Sequence, residues 1–204
     1  MKRRLTVVSA GLRQPSSTRL LADRLTDAAR RELGLLGDET DVEVIEVRDH
    51  AHDLVNHQIA GYPSPGLGRA LDAVARADGL IVVTPTFAAS YSGMFKMFVD
   101  CLEEPAAAGK PVLVAATGGT GRHSLVLEHA LRPLFSHLHA IVVPTAVFAA
   151  PEDWGAGQAE GSLAARVGRA ARELAREMGR REEAPPADHP YDDPQPFDRL
   201  LQGG

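Results

Sequence analysis

The chain has 204 residues, 44% of them hydrophobic, which is enough for one sizeable core and slightly long for a single average domain. Its formal net charge is −5 and its lysines and arginines are scattered, which argues against nucleic acid or an anionic membrane as the main partner. Cys101 is the only cysteine, so neither an intrachain disulfide nor a cysteine-based metal cluster can form.

Strand-like and helix-like stretches alternate along the chain. LTVVSA (5–10) is short, apolar and β-branched, and reads as a buried strand. Arg13 and Gln14 end the apolar run too early for a signal peptide, and no run approaches the roughly 18 apolar residues of a membrane span. A soluble, cytoplasmic protein is expected. Residues 17–33 carry leucine and alanine on one helical face, and VEVIEV (42–47) alternates as a half-exposed edge strand does. Residues 48–65 hold turn residues without a sustained period and read as a long loop. A helix over 67–78, a buried strand over 79–85 and an apolar helix over 91–103 follow. Next come a buried strand over 110–117 and a helix over 123–138, with Leu127, Leu131, Leu134 and Leu138 on one face. AIVVPTAVF (140–148) is a final strand whose Pro144 marks its end or an edge position. An amphipathic helix is expected over 160–179. The Pro- and acid-rich tail, 181–204, reads as disordered or as an interface arm, following one domain over 1–180.

Alternation of this kind, with continuously apolar strands, predicts an α/β fold: a parallel sheet covered on both faces, in the doubly wound order 2-1-3-4-5. Ligands of such sheets sit outside the carboxyl ends of the strands, near the switch between strands 1 and 3. Three loops should therefore meet. The first, GLRQPSST (11–18), offers Arg13, Ser16, Ser17 and Thr18 at a helix start. Unpaired first-turn amides and hydroxyls make an anion site, but the same hydroxyls are preferred helix caps, so this stretch alone fits either role. It lacks both Gly-x-Gly-x-x-Gly and Gly-Lys-Ser/Thr, which disfavours dinucleotide pyrophosphate and P-loop ATP sites and leaves a cradle for one terminal phosphate.

The second loop, TPTFAASYSG (84–93), sets Thr86, Ser90 and Ser92 as small donors beside the planar Phe87 and Tyr91, with Pro85 ending the strand. A capping serine and a core phenylalanine would also account for it. In the third, ATGGTGRHS (116–124), Gly118, Gly119 and Gly121 let the backbone approach a flat ligand and present its amides. Arg122 and His123 stand at a helix N-terminus, where the helix dipole opposes cations, so a ligand anion or electron-rich ring is the better reason for them. The plainer alternative is a flexible glycine turn with a solvated Arg–His pair. His50, His52, His57, His137 and His139 lack carboxylates at ligand spacing, so no metal is expected. No Gly-x-Ser-x-Gly elbow occurs, which disfavours a serine hydrolase.

GLRQPSSTRLL, PTFAASYSGMFKMFVD and ATGGTGRHSLVLEHALRP together resemble the NADPH-dependent FMN reductase family of flavodoxin-like proteins. More narrowly they are similar to the actinobacterial-type FMN reductases associated with luciferase-like monooxygenases. The likeness spans roughly residues 4–178, and Pro85, Phe87, Gly93, Lys96 and Asp100 in combination carry much of it. The first loop departs from the family's Gly-Ser-x-Arg-x-x-Ser, which leaves open which hydroxyl, and whether Arg13, meets the phosphate. The resemblance implies a flavodoxin-like three-layer sandwich with FMN at the sheet's carboxyl edge. Arg13, Ser16, Ser17 and Thr18 would hold the phosphate. Pro85, Thr86, Phe87 and Ser90 would line the ribityl chain and one ring edge, and Thr117, Gly118, Gly119 and His123 would face the pyrimidine side. Lys96 and Asp100, at i and i+4, fit a structural or interface pair.

Hydride transfer from NADPH or NADH to FMN needs no side-chain acid or base, so no catalytic residue is expected beyond Arg122 and His123 as charge stabilisers. The family resemblance also implies a homodimer or homotetramer and delivery of reduced flavin to a partner monooxygenase; the apolar-rich helix 91–103 and the long segment 48–65 are the candidates for an interface that completes the site. An FMN-containing quinone or azo reductase, a non-enzymatic flavodoxin-like electron carrier and a phosphate-binding regulator are the competing readings.

Overall fold

The computed structural model describes residues 1–155 and 162–181. Among the described residues, seven strands and six α-helices carry the fold: β1 (Lys2–Ser9), α1 (Ser17–Leu35), β2 (Glu39–Glu46), α2 (Ala51–Ala60), α3 (Pro65–Arg76), β3 (Gly79–Phe87), β4 (Ser90–Tyr91), α4 (Gly93–Asp100), β5 (Pro111–Thr117), α5 (Arg132–His137), β6 (Ile141–Val142), β7 (Val147–Ala149) and α6 (Leu163–Arg180). The order is β2-β1-β3-β5-β6, with β7 continuing beside β5 and β4 folding back antiparallel on β3. All other pairs are parallel. This is the expected doubly wound order.

Burial follows the apolar pattern. Every residue of β5 is buried, as are seven of the nine in β3, because helices cover both faces. The edge strand β2 alternates exposed and half-buried positions as far as Val44, after which Ile45 is buried. On one face α1 and α6 pack Leu21, Leu25, Leu33, Leu174 and Met178 against Val7, Ile81 and Leu113. On the other, Leu67, Val74, Phe95, Leu131 and Phe135 cover Val8, Val82 and Val114. Ser16, Ser64, Ser92 and Ser162 cap α1, α3, α4 and α6, each accepting a backbone N–H three residues on at 3.2 Å.

Several expected elements are corrected. Segment 48–65 is not a loop: a 3-10 turn (Val47–His50) leads into α2, which ends at Gly61 with φ 82°. Leu54 is the one buried residue of α2, so a helix resting on a single side chain shows no period in the sequence. The helix expected over 91–103 starts only after Ser92, because Ser90 and Tyr91 pair with β3. The helix over 123–138 is broken into a 3-10 turn (Gly121–His123), a π turn (Leu127–Leu131) and α5. Pro133 has no N–H to donate to the preceding turn, which accounts for the irregular ladder. The strand over 140–148 is two short strands parted at Pro144 and Thr145, where Glu173 takes the Thr145 N–H at 2.6 Å and its hydroxyl at 2.8 Å. Residues 160–161 of the expected last helix and 182–204 of the tail lie outside the described residues. Among the described residues no helix is long and apolar enough to cross a membrane.

Candidate cofactor site

The carboxyl ends of β1, β3 and β5 bring the three loops to one edge. Register sets Ser9 beside Val83 and Pro85 beside Thr117, so the loops leave the sheet as neighbours. Thr18, at the start of α1, and Thr117, at the end of β5, join across them by a buried hydroxyl–hydroxyl hydrogen bond of 2.8 Å. One of those hydroxyls donates to the other, which leaves a single O–H free for a ligand.

In the first loop Gly11 is buried, Arg13 and Ser17 are exposed, and Ser16 is half-buried. A Cβ on Gly11 would lie 2.0 Å from Ser16 Oγ and 3.2 Å from Thr18 Cβ, so only glycine lets the loop fold over the helix start. Ser16 Oγ accepts the Arg19 N–H, while the backbone N–H groups of Ser17 and Thr18 have no partner among the described residues. These are two unpaired amides at the positive end of a 19-residue helix, and Ser9 Oγ, at the end of β1, is fully buried and also without a partner.

In the second loop Pro85 is buried and Thr86 half-buried, with Thr86 Oγ1 buried and unpartnered. Phe87 is 50% exposed, so it is not the core residue of the plainer reading. The chain turns through Ala88 and Ala89 at φ 47° and 65°, a left-handed pair that closes a two-residue hairpin and brings Ser90 back beside Phe87. Ser92 is engaged elsewhere: its hydroxyl caps α4 and its N–H goes to Thr84 Oγ1. Lys96 and Asp100 form an exposed ion pair at 2.5 Å along α4.

In the third loop the Gly118 N–H donates to Ala149 at 3.1 Å, leaving the Gly119 N–H unpaired among the described residues. A Cβ on Gly118 would meet Phe148 Cζ at 2.7 Å, whereas one on Gly119 would meet nothing. Gly118 is therefore required for packing, and Gly119 presents the free amide. Arg122 and His123 sit exposed in the 3-10 turn with no hydrogen bond or ion pair from either side chain among the described residues. Glu152 accepts the Gly121 N–H at 3.3 Å from the turn after β7.

Two features were not read from the sequence. Ser9 closes an apolar strand and carries no motif. Glu46 and Arg48 lie in β2 and the turn after it. Glu46 Oε1 accepts Arg19 Nη1 at 2.6 Å, and Glu46 Oε2 is buried without a partner. Asp23, first, and then Glu46 hold the Arg19 guanidinium above its ordinary value by hydrogen bonding. Arg48 donates to the Arg13 carbonyl at 3.1 Å. Clefts of about 500 and 480 Å³ lie on the opposite edge, lined in one case by Arg3 and Asp38 and in the other by Arg4 and Asp78, whose charges are already paired. Unpaired donors, and not cleft volume, mark the carboxyl edge as the candidate site.

The family model for NADPH-dependent FMN reductases matches residues 3–155. The chain belongs to the NADPH-dependent FMN reductase family. Curated relatives include an FMN reductase (NADPH) of Pseudomonas aeruginosa, 38% identical over 74% of this chain and 78% of that protein. An NADH-dependent FMN reductase, SfnF, of Pseudomonas putida is 36% identical over 73% of this chain and 78% of that protein. Among solved structures, an oxidoreductase of Corynebacterium diphtheriae is 44% identical with a TM-score of 0.85, over 89% of this chain and 99% of that one.

For a member of this family the question is whether the edge suits FMN. The three loops, 11–18, 85–92 and 117–124, contain no Asp or Glu although the chain has 27. They present free amides at Ser17, Thr18 and Gly119, buried hydroxyls at Thr18, Thr86 and Thr117, and the exposed cations Arg13 and Arg122. This donor set fits a flavin phosphate and a polar chain. Gly11 leaves room for Ser16 and Thr18 in the first loop, and Phe87 offers an exposed ring on the second.

Proposed function

We propose that this chain is an NAD(P)H-dependent FMN reductase that works at the carboxyl edge of its sheet. The observation that carries this reading is three acid-free loops converging on unpaired amides and hydroxyls in a chain of this family. When bound, FMN supplies the ring that takes the hydride from nicotinamide, so the chain needs no acid, base or nucleophile of its own. The amides of Ser17 and Thr18, with the Ser16, Ser17 and Thr18 hydroxyls, bind the phosphate, and Arg13 neutralises it from the solvent side. Pro85, Thr86, Phe87 and Ser90 flank the ribityl chain and one ring edge, the Thr86 hydroxyl finding there the partner it lacks inside the protein. Thr117 and the Gly118–Gly119 peptide border the pyrimidine side. Gly119 N–H, Arg122 and His123 hold the negative charge that develops there.

The open edge suits release of reduced flavin to a partner monooxygenase of the luciferase-like class. The exposed apolar residues Val55, Ile59 and Tyr62, on and just after α2, support a homodimer or homotetramer in which segment 48–65 takes part. A reducing, cytoplasmic setting agrees with the lone, buried Cys101. The test is oxidation of NADPH and NADH by the purified protein with and without FMN. FMN-dependent oxidation is expected. Oxidation of neither nucleotide in the presence of FMN refutes the reading, and sedimentation as a fully active monomer refutes the oligomer.

A further inference from the structure

The phosphate loop is held from outside by one side chain. Residues 11–15 join no helix or strand, and among the described residues no backbone hydrogen bond anchors them. Their one hydrogen bond to the rest of the described protein runs from Arg48 Nη1 to the Arg13 carbonyl, at 3.1 Å. Arg48 is itself placed by acids: Glu46 Oε1 lies 4.0 Å from its Nη2 and Asp49 Oδ1 lies 3.6 Å from its Nε. Glu46 closes β2 beside Ser9 in register and also grips Arg19 in the first turn of α1 at 2.6 Å. One carboxylate thus ties the helix start to the arginine that holds the loop. A guanidinium is suited to this, because its planar fork serves a carboxylate and a carbonyl at once.

We infer that Arg48 is a positioning residue for the flavin phosphate: it fixes the Arg13 peptide so that the loop is shaped before the anion arrives. This rests on the FMN reading above. A loop ordered in advance loses less freedom on binding, so the gain appears in affinity for the phosphate-bearing ligand. Riboflavin, which has the same ring system and ribityl chain without the phosphate, should be nearly indifferent to Arg48. A merely structural role for the Glu46–Arg19–Arg48 cluster would weaken both ligands together or lower stability alone.

The experiment compares FMN and riboflavin binding, by quenching of flavin fluorescence, to the wild-type chain, Arg48→Ala and Arg48→Lys. Backbone 15N order parameters of residues 11–14 and 16 are followed without ligand. Arg48→Ala is expected to weaken FMN about tenfold or more and riboflavin less than about twofold, with lower order parameters in the loop. Arg48→Lys, which retains the charge and one donor nitrogen, should recover part of the FMN affinity. If Arg48→Ala does not fold, Arg48→Met, which keeps the aliphatic stem, is read in the same way. Equal losses for both flavins, no loss of FMN affinity, or unchanged loop order parameters would overturn the inference. Failure of the wild-type chain to bind FMN at all would instead overturn the proposed function.

Discussion

At the amino edge of the sheet the charged groups find partners. Arg3 reaches Asp38 and the carbonyls of Gly179 and Arg181 at the end of α6, the Arg4 N–H and side chain meet Asp78, and Lys110 donates to the carbonyls of Val74 and Ala75 at the end of α3. At the carboxyl edge the hydroxyls of Ser9 and Thr86 are buried without partners, as is the acceptor Glu46 Oε2, and the helix-start amides of Ser17 and Thr18 are unpaired among the described residues. Thr40 Oγ1, on the edge strand β2, is an exception near the amino side. A fold can satisfy its polar groups with its own chain where nothing else will come. Where a ligand must come, it leaves donors open and accepts the desolvation cost.

The contrast can be broken most strongly at Gly11. Its missing Cβ is what keeps Ser16 Oγ in place, 2.0 Å from where that carbon would stand. Gly11→Ala should displace the helix cap and weaken FMN on the order of 100-fold, measured by flavin fluorescence, while leaving the amino edge unchanged. An affinity within about threefold of wild type would show that the loop is not the cradle.

Lys110 tests the amino edge. Burial chiefly, with the nearby charge of Arg181, pushes its ammonium down to about 8 from 10.5. The folded value is lower than the unfolded one, so between about pH 8 and 10.5 the unfolded chain holds the extra proton and stability rises with pH. Over that window the wild type should gain about 2 kcal/mol on Lys110→Met in urea unfolding. This is less than the full shift implies, because the charged form keeps its bonds to two carbonyls. Parallel stability curves would contradict it.

Thr18→Val sharpens the comparison by removing the Thr18–Thr117 hydroxyl pair. It should weaken FMN about tenfold and riboflavin less, with about 1 kcal/mol of lost stability. Equal weakening of both ligands would mean that Thr18 serves packing alone. The smallest effect is expected at Ala89, held at φ 65°. Ala89→Gly should raise stability by about 1 kcal/mol in denaturant titration, because glycine adopts this conformation without steric cost. A loss of stability would show that the hairpin carries no strain there.

Much of the molecule was legible beforehand because its signals are local. Continuous apolar runs in β3 and β5, alternation in β2, and the serines at the starts of α1 and α4 are read within a few residues. The three loops follow from strand order and the rule that ligands sit at carboxyl ends. What stayed hidden depends on distant contacts. α2 buries only Leu54, so its sequence resembles a loop, and the Pro133 break is masked by four regularly spaced leucines. Gly118 reads as a ligand-facing glycine until Phe148 is seen beneath it and its N–H is found on Ala149. Glu46 and Arg48 sit where the sequence suggests an exposed strand end and a loop, and only the fold brings them to the Arg13 carbonyl.

Titration of the isotope-labelled chain with FMN, followed by backbone amide resonances, tests the assignment of function to one edge most directly. The expected shifts cluster in residues 11–18, 86–90 and 117–123, with Asp38, Asp78 and Lys110 unmoved. Shifts centred on the Arg3–Asp38 and Arg4–Asp78 clefts, or no shifts at all, would contradict it.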